Sequence, residues 1–252
     1  MFVRCWIDLD AGNSSLKWRV RKGDAVLSRG RCTYSNLDML ERELVIHEVE
    51  GALVSCVSGI GFENELRKLL SRSIRGEAIA FAKATKQFGD ELINAYLAPE
   101  CLGIDRWLAL LASRRKTDKD FCVVDCGTAI TVDFVCAGIH CGGYISPGLP
   151  LLTKAVNRGT AAVRVNDGDF SKVRPGVSTS ECVSRGVAQL FLGGINRMLS
   201  QFPFEDLFLT GGDANLLFDN IDRTKYSNIT VVPDLVLDGL VVMFGSDFER
   251  DA

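Results

Sequence analysis

The 252-residue chain has only two histidines, His47 and His140, and no cysteine pair at CxxC spacing. Zinc centres draw on such residues, so a zinc site has little to build from. The nine cysteines are odd in number and scattered, the nearest pairs being Cys122/Cys126 and Cys136/Cys141. They read as free thiols in a reducing compartment rather than as a disulfide framework. No run of eighteen or more apolar residues occurs, which predicts no membrane span. The first residues lack the basic start, apolar stretch and cleavage site of a signal peptide, so a cytoplasmic protein is expected. Charge of one sign is missing too. The formal net charge is −3, which gives no electrostatic case for nucleic acid or an anionic membrane as partner. The Walker loop, G-x-x-x-x-G-K-[ST], is also absent, so phosphate binding would need another device.

What is present is a globular composition, 47% hydrophobic and 24% charged, in a length that suits one large domain or two modest ones. The opening segment, 3–9, reads as a buried strand, Gly12-Asn13 as a tight turn, and 16–20 as a half-exposed strand alternating apolar and basic residues. Residues 51–58 read as a buried strand, and 63–72 and 86–97 have helical composition. A second cycle starts after the charged stretch 114–120: strand 121–124, turn at Gly127-Thr128, strand 130–135. Residues 178–199 predict a long helix, with Ser178 and Glu181 matching a capping box. A strand at 204–209 ends in Thr210-Gly211-Gly212, and 235–244 predicts a final packed helix. The boundary divides the chain into lobes 1–117 and 118–252.

One pattern organises these pieces. Strand-Asp10-Ala11-Gly12-Asn13-Ser14-strand recurs as strand-Asp125-Cys126-Gly127-Thr128-Ala129-strand, 115 residues later. That period is far too long for a solenoid and predicts two related halves. Glycine at such a turn lets a phosphate approach the backbone N–H groups, because no Cβ intervenes. A carboxylate beside phosphates needs a cation between them, and Mg²⁺ bound by one carboxylate plus phosphate oxygens is the common solution. Lys17 adds a point charge. A single D-x-G turn is equally an ordinary hairpin; two of them after buried strands argue for phosphate chemistry. Further along, Ile104, Trp107, Leu108 and Leu111 mark one helix face. Asp105 and Arg106 then fall in its first turn, where Asp is also favoured by the helix dipole alone and Arg106 is equally a surface salt-bridge partner.

Taken in order, these segments resemble the type III pantothenate kinases of the actin/sugar-kinase/Hsp70 superfamily. Asp10-Ala11-Gly12-Asn13-Ser14-Ser15-Leu16-Lys17 is similar to their first phosphate motif, with Ser14 where many relatives carry Thr. Asp125-Cys126-Gly127-Thr128 is similar to the second, 142–149 to the following glycine-rich segment, and Thr210-Gly211-Gly212 to the adenosine motif. Gly103-Ile104-Asp105-Arg106 matches the G-x-D-R signature. Thr160-Ala161 resembles a downstream pattern, but Val163-Arg164 stands where Leu-Pro is common. The resemblance implies an α/β, duplicated actin-like (ribonuclease H-like) fold with two lobes around a nucleotide cleft. It also implies transfer of the ATP γ-phosphoryl to pantothenate, the first step of coenzyme A biosynthesis. On it, Asp105 is the proton acceptor, and the segment from Asp10 to Lys17 together with Thr128 contacts ATP. Tyr96, Gly103, Ile104, Asp105, Arg106 and Thr179 contact pantothenate. Asp125 holds a monovalent cation (K⁺ or NH₄⁺), Asp10 holds Mg²⁺, and the enzyme is a homodimer. Another small-molecule kinase or phosphatase of the same fold, or a non-catalytic accessory regulator, are the alternatives.

Overall fold

The structure, a computed structural model, describes residues 4–74, 78–161, 163, 165, 170–171 and 174–248. Val3, the expected start of the first strand, and Arg164 of the downstream pattern lie outside these residues. The chain forms two compact units, Met1–Lys116 with Asp234–Ala252, and Thr117–Pro233.

In the first unit, β1 (Cys5–Ala11), β2 (Leu16–Lys22) and β3 (Ala25–Cys32) form an antiparallel meander. After α1 (Asp38–Ile46), β4 (Gly51–Cys56) lies parallel to β1; after α2 (Ile60–Ser73), β5 (Ile79–Phe81) lies parallel to β4. Parallel neighbours need a crossover, and α1 and α2 supply it. The sheet order is β3-β2-β1-β4-β5. Residues 86–97, whose composition predicts a helix, instead form a small antiparallel hairpin of β6 (Gln87–Phe88) and β7 (Leu92–Ile93). Gly89 at φ 52° serves the turn, a conformation a helix does not use. A 3₁₀ turn, Pro99–Cys101, then leads into α3 (Ile104–Arg114).

The second unit repeats the plan. The strands β8 (Phe121–Cys126), β9 (Ala129–Cys136) and β10 (Ile139–Pro147) form the meander. The helices α4 (Leu149–Gly159) and α5 (Thr179–Leu199) lead to β11 (Asp206–Thr210), parallel to β8; α6 (Ala214–Asn220) leads to β12 (Asn228–Val231), parallel to β11. Within this unit the order β10-β9-β8-β11-β12 reproduces that of the first unit, strand for strand and direction for direction. The repeated turn motif thus marks a repeated ribonuclease H-like sheet. Each unit has its own core, one around Ile7, Leu9, Val54, Leu66 and Leu70, the other around Val124, Val132, Phe191, Ile195 and Leu209.

The two units differ from the expected lobes 1–117 and 118–252 at Thr117, which falls in the second, and at the carboxyl end. The last helix, α7 (Leu235–Phe248), belongs to the first unit. It packs on α3 so closely that a Cβ on Gly239 would stand 2.2 Å from the carbonyl oxygen of Leu108. Polar anchors reinforce the docking. On β1, Asp8 is wholly buried and accepts hydrogen bonds from Arg19 Nε and Nη2 (3.1 and 3.0 Å) and from Arg21 Nε. Arg19 Nη1 donates in turn to Asp238 of α7 at 2.7 Å, and Arg29 Nε to Asp234 at 2.8 Å. The basic face of β2, which alternation assigns to solvent, is therefore covered: Arg19 is 7% exposed. At the start of α5, the Ser178 hydroxyl accepts from Glu181 N, as the capping box predicts, but the Glu181 carboxylate accepts from Val177 N rather than from Ser178.

Candidate active site

The first unit presents Asp10 at the carboxyl end of β1. Its register partners are Lys17 on β2 and Ser55 on β4, and Ser55 Oγ donates to Asp10 Oδ1 at 3.0 Å. Burial is the main reason that the Asp10 carboxyl is pushed up to about 6; the negative charge of Asp105 adds to it, while Ser55, Lys17 and Arg31 pull the other way. A carboxylate held ionised at neutral pH against burial and a like charge is a site that gains from a cation. The Asp10, Asp105 and Ser55 side chains offer oxygen, which suits a hard divalent ion such as Mg²⁺. Among the described residues no group of three or more His, Cys, Asp or Glu could hold a metal, so the remaining ligands of such an ion would be phosphate oxygens and water.

The turn after Asp10 is a tight one, closed by Gly12 N donating to Ser15 O at 3.2 Å. Ala11 and Leu16 are fully buried in the core of the unit, while Asn13 and Ser14 stand exposed at the tip. Arg31 Nε donates to Ser15 Oγ at 2.8 Å. Tyr34 braces the turn from the next segment: its hydroxyl donates to Gly12 O, and its ring lies 4.1 Å from that of Phe62. Neither Ser55 nor Tyr34 carries a local sequence signal that ties it to this turn. Their roles arise from strand register and a long-range approach.

Gly103 caps α3 and Asp105 lies in its first turn. The Asp105 carboxylate folds back, Oδ1 accepting from Arg106 N at 2.8 Å, and a Cβ on Gly103 would fall 2.6 Å from that same oxygen. The glycine of the G-x-D-R segment thus leaves the space that the side chain two residues on occupies. Arg106, a candidate surface residue by its sequence, is instead buried (6% exposed). Its Nη1 donates to the Tyr96 hydroxyl at 2.7 Å, and the guanidinium carbon stands 5.6 Å from the centroid of the Tyr96 ring. Ile104 is buried beside them. Asp10, Lys17, Tyr96, Asp105 and Arg106 thus gather in one unit.

The second unit presents the related turn. Asp125 lies one residue before the end of β8 and pairs in register with Thr131 of β9 and Thr210 of β11, as Asp10 pairs with Lys17 and Ser55. Gly127 N donates to Ala129 O at 3.2 Å, and Gly148 N to Thr128 O at 3.0 Å. Two glycines are fixed by close approach. A Cβ on Gly148 would sit 2.2 Å from Gly127 O; one on Gly211, whose φ is 89°, would sit 2.4 Å from Asp125 Oδ1. Two later segments therefore close on this turn, Gly148 against its backbone and Gly211 against the Asp125 carboxylate. Thr179 is exposed at the first residue of α5 and lines an open depression of about 640 Å³ with Gly176, Val177 and Cys182. Thr160 ends α4, its hydroxyl donating to Val156 O at 3.0 Å.

Comparisons with known proteins give the family and the fold. Residues 6–201 match the family profile for type III pantothenate kinase. A type III pantothenate kinase from Hahella chejuensis is 38% identical over 238 residues, covering 94% of this chain and 96% of the relative. Among solved structures, one described as a Baf family transcriptional activator from Campylobacter jejuni superposes with a TM-score of 0.63 at 19% identity, covering 96% of this chain and 99% of that one. MreB5 of Spiroplasma citri bound to ADP superposes at 0.53 with 12% identity, covering 100% and 99%. The last two show the fold alone.

Proposed function

The chain belongs to the type III pantothenate kinase family, an ATP-dependent kinase of coenzyme A biosynthesis, and on that premise we propose a role for each side chain of the site. Asp105 orients the primary hydroxyl of pantothenate and accepts its proton as the γ-phosphoryl group arrives. The hydrogen bond from Arg106 N fixes the carboxylate for this, and the loose transition state of phosphoryl transfer needs alignment and charge neutralisation more than basicity.

Asp10, with Ser55 on one oxygen, anchors the divalent cation that accompanies ATP; when bound, that ion neutralises charge on the phosphates. The backbone of the turn from Ala11 to Lys17 and the Thr128 turn receive the phosphates, and Lys17 adds positive charge. Asp125 holds a monovalent cation, K⁺ or NH₄⁺; the Cys126 and Ala129 carbonyl oxygens, which with Asp125 Oδ1 crowd the Cβ positions of Gly211 and Gly127, support that reading. Tyr96, Gly103, Ile104, Arg106 and Thr179 hold pantothenate. The enzyme acts as a homodimer through α5, where Gly186, Gly193 and Gly194 have open space beyond their Cβ positions and Leu190 is 67% exposed. Its nine free cysteines fit a reducing cytoplasm. Among the described residues no helix is long and apolar enough to cross a membrane.

The observation that carries the catalytic assignment is the Asp105 carboxylate, close enough to Asp10 to raise its pKa and held by Gly103 and Arg106 N. Asp105→Asn keeps the shape and loses the proton acceptor. In a coupled ADP-release assay with pantothenate, kcat should fall roughly 10²–10⁴-fold with the circular dichroism spectrum unchanged. Turnover within a few-fold of wild type would remove Asp105 from the role.

A further inference from the structure

We infer that Asn94, which none of the motifs includes, is the positioning residue for the pantothenate arm of the site. The inference rests on the reading above that Tyr96 contacts pantothenate. Asn94 has no exposed surface, and a buried carboxamide must find partners for its donors and its acceptor. Here Nδ2 donates to Thr85 O and to Pro99 O, both at 3.1 Å, and Oδ1 accepts from Tyr96 N at 3.0 Å. Its own backbone is tied as well: Asn94 N donates to Lys86 O at 2.9 Å, and Lys86 Nζ to Asn94 O at 2.8 Å.

These bonds replace secondary structure. Between β5 and α3 the chain has only two-residue strands and one 3₁₀ turn, so few ladder bonds fix the backbone there. A single buried amide gathers the start of this segment, its end and the backbone of Tyr96. Order then passes outward. Tyr96 fixed at its N–H presents its hydroxyl to Arg106 at 2.7 Å, and Arg106 adjoins Asp105 in the first turn of α3. Asn94 touches no substrate in this scheme; it acts through Tyr96.

The test is a double-mutant cycle by steady-state kinetics on the full chain: wild type, Asn94→Ala, Tyr96→Ala and the double variant. Loss of the positioning bonds should raise KM for pantothenate about tenfold in Asn94→Ala. KM for ATP should stay within about twofold, because the phosphate turns are untouched. The double variant should resemble Tyr96→Ala alone, since residues acting as one unit are not additive. If Asn94→Ala does not fold, Asn94→Ser, which keeps a hydroxyl in the buried position, should show a rise of roughly threefold. A parallel rise in both KM values, or multiplicative effects in the double variant, would assign Asn94 to general stability and overturn the inference. A shift in Tyr96→Ala with none in the Asn94 variants would overturn it too, leaving the role of Tyr96 standing. An unchanged pantothenate KM in Tyr96→Ala would instead sink the reading on which the inference rests.

Discussion

Replacing Asp10 by Asn should make the protein more stable at neutral pH while abolishing its activity. The folded-state pKa of Asp10 is raised from 3.8 to about 6, first by burial and then by the charge of Asp105. A carboxyl whose pKa rises on folding binds its proton more tightly in the folded state. Stability therefore falls as pH rises from the unfolded value through the folded one, and the full penalty is in force above both. At 1.36 kcal/mol per pKa unit, the shift corresponds to a penalty of up to about 3 kcal/mol near neutral pH. Asparagine keeps the oxygen that accepts from Ser55 and carries no charge, so it escapes the penalty. Thermal unfolding without divalent metal should place Asp10→Asn above wild type by up to roughly 6–12 °C at about pH 8, using about 2–4 °C per kcal/mol for a chain of this size. At about pH 3 or lower, below both pKa values, the two proteins should unfold together, because Asp10 is then largely protonated in both states. Added Mg²⁺ should narrow the gap at about pH 8 by stabilising wild type alone. The reasoning is refuted if the variant gains nothing at the higher pH, or gains equally at both.

Gly103→Ala should leave Tm nearly unchanged, since φ of −52° suits alanine; its Cβ would meet Asp105 Oδ1 at 2.6 Å, and the displaced carboxylate should lower kcat roughly 10–100-fold in the ADP-release assay. Gly211→Ala combines φ of 89° with a Cβ 2.5 Å from the Cys126 carbonyl carbon; it should lower stability by at least about 1–3 kcal/mol in a urea titration and blunt any K⁺ dependence of the rate. Arg19→Met leaves Asp8 buried with Arg21 as its remaining partner; urea unfolding should report a loss of about 3 kcal/mol, and Asp8→Asn in the same chain should restore most of it.

What the sequence disclosed was whatever is settled within a few residues. The turns at Gly12 and Gly127 declare themselves because aspartate and glycine perform their roles locally, and the amphipathic pattern of α3 places Asp105 and Arg106 correctly in its first turn. Contacts set by strand register or tertiary approach left no local mark. Ser55 reaches Asp10 only because β4 docks parallel to β1 with that alignment. Arg19 reads as a solvent-facing strand residue because alternation says nothing of Asp8 or of α7, the partners that cover its charge. Residues 86–97 have helical composition, yet Gly89 at positive φ and the bonds of Asn94 decide otherwise. Arg106 donates to the Tyr96 hydroxyl and is buried, although its position on the helix gives no hint of a buried guanidinium.

The placement of α7 has a consequence for biogenesis. The first unit begins at the amino terminus but lacks the helix that packs on α3 until residues 235–248 have been synthesised. A chain emerging from the ribosome folds domain by domain where it can; here the second unit is contiguous and can finish first. Until α7 arrives, Asp8 and Arg19 have each other but not Asp238, and the face of α3 that receives Gly239 is uncovered. The amino-terminal unit, although begun first, is completed only after the second unit has been made.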